Sequence, residues 1–242
     1  MRRAAALIPL LFAMPLAVAA VPVDIHLPAG EHVCSMARPC PVAILSPGYG
    51  MAGSEYGFVT RHLNEAGYLV VALRDSAGGV ALDRNGRISE QVQAMARAAS
   101  QSIAAVADAN APLYRAFDWR RLLLVGHSLG GDSSAQFAAD YPGRVAGLIS
   151  LDSRRVALPR SSDIPVLTIR ASDTLADPGV LPDQEERSRY GSCIVRIEGA
   201  RHNDMQDGGS AQLKARILSA IAVFLTPAQH PAYVCARDSR LD

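Results

Sequence analysis

Six short runs of apolar residues recur along this chain: VAILSPG (42–48), YLVVALR (68–74), LLLVG (122–126), AGLISLD (146–152), PVLTIRA (165–171) and CIVRIEG (193–199). Most of them do not alternate apolar with polar, which is the pattern of strands covered on both faces. Between them lie longer stretches at helical spacing, SEYGFVTRHLNEAG, ISEQVQAMARAASQSIAAVADA and GGDSSAQFAADYPG. The last element, AQLKARILSAIAVFL (211–225), sets Leu213, Ile217, Ala220 or Ile221, and Phe224 on one stripe. Strands that alternate with helices pair in parallel through right-handed crossovers. The expected class is therefore α/β, a mostly parallel central sheet flanked by helices on both faces. No repeat, low-complexity segment or linker divides it, so residues 21–242 are expected to form a single domain.

Composition narrows the function without naming it. The 242 residues are 49% hydrophobic and 19% charged, an ordinary globular balance. A formal net charge of +1 provides no field for a polyanion, so nucleic acid is not an expected partner. The first twenty residues, MRRAAALIPLLFAMPLAVAA, carry two Arg, an apolar stretch and small residues that fit cleavage near Ala19 or Ala20. They read as a secretory signal (1–20), with an uncleaved membrane anchor as the competing reading. A secreted or periplasmic location without stable membrane insertion follows. Cys34, Cys40, Cys193 and Cys235 are an even number in a compartment that permits disulfides. Three connectivities are open, and Cys34 with Cys40 plus Cys193 with Cys235 is favoured. Neither spacing resembles a structural zinc site, and no metal is expected.

The third run ends in GHSLG (126–130), which matches G-x-S-x-G at a strand-to-helix junction. There a sharp turn lifts the Ser128 hydroxyl above the carboxyl edge of the sheet, and glycines are needed where any Cβ would collide with neighbouring backbone. A serine is a weak nucleophile until an imidazole takes its proton. Of six His, His127 is adjacent but should point elsewhere and pack inside, whereas His26, His32, His62 and His230 lie away from the sheet edge. His202 follows the last strand in a polar loop, and is the expected base.

In these residues the chain resembles the α/β-hydrolase family over about Val42 to Phe224, with the cutinase-like polyester hydrolases and the platelet-activating-factor acetylhydrolases as the most similar branches. SPGYG (46–50) resembles the oxyanion loop after the family's third strand, and GARHNDMQD (199–207) its His-bearing loop. The resemblance implies backbone donors at Leu129 and at Tyr49, with Gly50 as a substitute for Tyr49. It implies an acid next in order after Ser128 and offers two: Asp173, at the family's usual place and preferred, and Asp152, placed as in the acetylhydrolase branch. Asp177 is a third candidate.

Only residues 153–164 separate the fourth and fifth runs, too few for a lid domain, so the site should be an open groove. Residues 76–89 and SRRVALPR (153–160) are candidates for its rim; for Arg154 and Arg155 surface solvation is the favoured role, with contact to an anionic substrate as the alternative. The chain is thus expected to be a monomeric serine hydrolase that cleaves small-molecule or polymeric carboxylic esters through an acyl-enzyme, with no cofactor. An acyltransferase or peptidase with the same residues, or a non-catalytic binding protein on the same fold, are the alternatives.

Overall fold

A computed structural model of the chain describes residues 21–30 and 32–226. Seven strands form one sheet: β1 (Val23–His26), β2 (Cys40–Ser46), β3 (Leu69–Leu73), β4 (Phe117–His127), β5 (Val145–Leu151), β6 (Val166–Arg170) and β7 (Cys193–Arg196). Their order across the sheet is β1-β3-β2-β4-β5-β6-β7. All pairings are parallel except β1 with β3. The helices are α1 (Gly57–Glu65), α2 (Ile88–Asn110), α3 (Leu129–Asp140), α4 (Gln184–Tyr190) and α5 (Ala211–Leu225).

The central stretches of β2 to β6 are mostly apolar at successive positions because each face of the sheet has its own core. Leu45, Val125, Ile149 and Leu167 stand on one face and are buried with Leu63 of α1 and with Ile217 and Ile221 of α5. Their chain neighbours Ile44, Leu124, Leu148 and Val166 point the other way, onto Ile103 of α2 and Phe137 of α3. The α5 stripe read from the sequence is the buried one: Leu213, Ile217, Ala220 and Ile221 are buried, and Phe224 packs against them in part.

Three elements depart from the sequence reading. Strand β1 is a half-buried antiparallel edge of four residues, too short and mixed to register as an apolar run. Strand β4 begins at Phe117, so the polar DWRR belongs to a strand whose register shifts beside Pro41 and Val42. Helix α4 has no buried residue and hence no apolar stripe; its marks are the Asp183 cap, which accepts from Glu186 N–H, and left-handed Gly191 at its end.

A disulfide joins Cys34 to Cys40 at the first residue of β2. The other expected pair includes Cys235, which lies outside the described residues, as does the expected signal at 1–20. Among the described residues no helix is long and apolar enough to cross a membrane. Between β5 and β6 the chain forms no helix; Leu158 and Ile164 tuck it against the core, leaving the carboxyl edge of the sheet open beside β4.

Candidate active site

Helix α3 starts one residue after β4 ends, and only glycine fits where the two cross. A Cβ on Gly126 would stand 2.2 Å from the carbonyl oxygen of Gly130, and one on Gly130 would stand 2.0 Å from that of Ser46. Neither glycine has a positive φ, so close backbone approach is what demands them here. Between them Ser128 takes φ 52° and ψ −119°, a sharp turn that sets its side chain at the sheet edge.

His202 sits in the loop after β7, and this loop is tied down at several points. Ser172 N–H donates to the Ala200 carbonyl at 2.9 Å. The Asp207 carboxylate accepts from the N–H groups of Gly57 and Phe58 at 2.8 and 2.9 Å, in the first turn of α1. The Asp173 carboxylate accepts from His202 N–H at 2.8 Å.

The loop so held brings the imidazole between two side chains. His202 Nε2 lies 2.9 Å from Ser128 Oγ, and Nδ1 lies 2.5 Å from Asp152 Oδ2. An ionised carboxylate only accepts, so Nδ1 carries the proton and Nε2 faces the serine as an acceptor. Asp152 is fully buried, and it too has a positive φ, 55°. Burial works to raise its pKa, but hydrogen bonds from His202 and from Thr174 Oγ1 (2.5 Å), with the charge of Arg170, more than offset this and hold the carboxyl below its usual range. The Arg170 guanidinium lies 2.8 Å from Asp152 Oδ1, though off the angle of a hydrogen bond.

The preference for Asp173 as the acid therefore does not match the geometry. Asp173 holds the backbone of His202, Asp177 pairs with Arg155, and the ring meets Asp152. The reason lies in sheet order. Asp152 follows β5, the immediate neighbour of β4, whereas Asp173 follows β6, one strand further away.

Leu129 is the first residue of α3, so its N–H belongs to the first turn, whose donors have no partner within the helix. Across from it, residues 46–50 turn at Gly48, whose N–H donates to Tyr56 Oη at 3.1 Å. Tyr56 is the principal site residue that sequence reasoning missed. His127 Nε2 faces the His202 carbonyl at 3.0 Å and must donate to it, which leaves Nδ1 to accept the Tyr56 hydroxyl at 2.7 Å. Buried Tyr56 and His127 thus connect the loop of Gly48 to the loop of His202. Burial drives the His127 imidazole down to about 3, keeping it neutral for this role. Thr174 and Arg170 were missed as well; a charged residue inside the apolar run PVLTIRA was the available signal, because a buried charge needs a partner.

Ser128 and His202 open into a cleft of about 310 Å³. Its apolar wall is Tyr49, Met51, Leu82, Ile88 and Val92, and Tyr49 Oη accepts from Leu82 N–H at 2.8 Å, bridging to the 76–89 segment. The arrangement can pass a proton from hydroxyl to imidazole while a buried carboxylate stabilises the resulting cation.

Comparison with known proteins agrees with this architecture. The model of the alpha/beta hydrolase fold family matches residues 44–174. A probable serine hydrolase of Drosophila melanogaster is 27% identical over 129 residues, 53% of this chain and 38% of that protein. The chain thus spans well under two thirds of the length of that curated relative. Among solved structures, a ferulic acid esterase from Streptomyces cinnamoneus superposes with TM-score 0.59 at 22% identity, covering 77% of this chain and 66% of that one. A thermophilic esterase from Thermogutta terrifontis, solved with butyrate bound, superposes with TM-score 0.56 at 14% identity, covering 84% and 87%.

Proposed function

Because the chain belongs to the alpha/beta hydrolase fold family, we propose that it is a serine hydrolase that cleaves carboxylic esters through an acyl-enzyme. The observation that carries this reading is the unbroken chain from Ser128 Oγ through the His202 ring to buried Asp152, opening on an apolar-walled cleft. The names of the relatives, a probable serine hydrolase and two esterases, support it.

In this reading Ser128 Oγ attacks the ester carbonyl while His202 Nε2 takes its proton. The tetrahedral oxyanion accepts from the N–H groups of Leu129 and Tyr49, donors fixed before the reaction by α3 and by the Tyr56 anchor on Gly48. His202 returns the proton to the departing alcohol, then activates the water that releases the acid. Asp152 keeps Nδ1 protonated and stabilises the imidazolium throughout. The protein works in an oxidising compartment outside the cytoplasm, which accords with the Cys34–Cys40 disulfide.

Hydrolysis of p-nitrophenyl esters from acetate to palmitate, by the protein and by its Ser128→Ala variant, tests this. Short chains are expected to turn over fastest, since about 310 Å³ lies at the small end of ligand sites, and the variant is expected to be inert. Equal rates from both proteins would overturn the proposal.

A further inference from the structure

The cleft carries positive charge that simple ester hydrolysis does not use. Arg84, Arg154 and Arg155 line it together with Ser128 and His202. Arg155 is neutralised, since its guanidinium pairs with Asp177. Arg154 is different. Its backbone is fixed, with its N–H donating to Asp132 Oδ1 at 3.2 Å, yet its half-buried side chain has no hydrogen-bond or ion-pair partner among the described residues. Arg84, further out and exposed, has none among them either.

The one carboxylate that lines the cleft, Asp132, offsets only part of this charge and forms an ion pair with neither Arg84 nor Arg154 among the described residues. Asp132 Oδ1 is occupied by the N–H groups of Arg154, Arg155 and Val156. Burial also pushes the Asp132 carboxyl up to about 6. Three guanidinium groups therefore face two carboxylates, Asp132 and Asp177, and one positive charge is left over beside the nucleophile. A half-buried guanidinium with free donors suits a planar carboxylate, which it can hold with two parallel hydrogen bonds. One surplus charge suits a monoanion better than a phosphate dianion.

We propose that the substrate is an ester bearing a free carboxylate, held by Arg154 with Arg84 as an outer cation, while Leu82, Ile88 and Val92 cover its apolar body. This rests on the esterase reading above, whose nucleophile it shares.

Two substrate pairs test it and locate the carboxylate. p-Nitrophenyl hemiglutarate against p-nitrophenyl valerate places the anion on the acyl side; 4-acetoxybenzoate against its methyl ester places it on the alcohol side. In one pair, kcat/KM for the anion is expected to exceed that of the neutral partner about tenfold at low salt, and the ratio should shrink in 1 M NaCl, where charges are screened within about 3 Å. Arg154→Gln should remove the ratio and Arg154→Lys restore part of it. Arg84→Gln, on an exposed side chain that the fold does not need, should lower it severalfold, which keeps the test open if the Arg154 variants fail to fold. A neutral preference in both pairs, or a ratio that survives Arg154→Gln, overturns this proposal and leaves the esterase reading intact. No hydrolysis of any of the four esters overturns both.

Discussion

Ser128 and Asp152 adopt φ values of 52° and 55°, which residues with a Cβ seldom take. Each still donates its N–H to the next strand, Ser128 to the Leu151 carbonyl at 2.9 Å and Asp152 to that of Ile169 at 2.8 Å. The parallel ladder thus runs to the last residue before the chain turns, and the two side chains rise from adjacent strands toward one imidazole. Such strain costs on the order of 1–3 kcal/mol per residue and persists only where the surroundings hold it. The roles of the two candidate acids separate on substitution. Asp152→Asn is expected to lower kcat by about 10⁴-fold, because Asn at that place favours the wrong His202 tautomer. Asp173→Asn removes only an anchor of the loop backbone and should cost about tenfold or less, the scale of one hydrogen bond. Steady-state kinetics on one p-nitrophenyl ester checks both, and a larger loss at Asp173 would reassign the acid.

The crossing of α3 over β2 and β4 sets the position of the nucleophile. Gly130→Ala would press a Cβ against the backbone of Ser46 and Pro47, which no side-chain rotation relieves. Overpacking of this kind costs about 3 kcal/mol, and a fall in the urea midpoint with unchanged m-value is the expected result. A midpoint equal to that of the parent would mean that α3 can shift without loss. This crossing was legible in the sequence, because GHSLG after LLLV states both the turn and the glycines it requires. The parallel strands and α5 were legible for a related reason, since double-sided burial leaves continuous apolar runs. Helix α4 and strand β1 were not, because neither buries a periodic face. The choice between Asp152 and Asp173 depended on strand order and on one positive φ, neither of which a single sequence states.

Two buried titratable groups, His127 and Asp132, give the stability of the protein opposing pH dependences. His127 is held down to about 3 from 6.5 by burial, so its contribution to stability is present above pH 6.5 and is lost as pH falls toward 3. Asp132 is pushed up from 3.8 to about 6, so its contribution is present below pH 3.8 and is lost as pH rises through 6. Between pH 4 and 6 each has a slope of up to about 1.4 kcal/mol per pH unit, with opposite sign, and the two nearly cancel. Removing one should expose the other. His127→Gln is expected to gain stability on acidification from pH 6 to 4.5, and Asp132→Asn to lose it, as read from urea midpoints at each pH. Parallel profiles for both variants and the parent would remove these two groups from the account.

A fluorophosphonate probe reports whether His202 activates Ser128 as a nucleophile. Intact-mass analysis followed by peptide mapping is expected to find one adduct, on Ser128, with labelling of the His202→Ala protein slower by orders of magnitude. An unlabelled parent protein, or an adduct on any other residue, would contradict this activation.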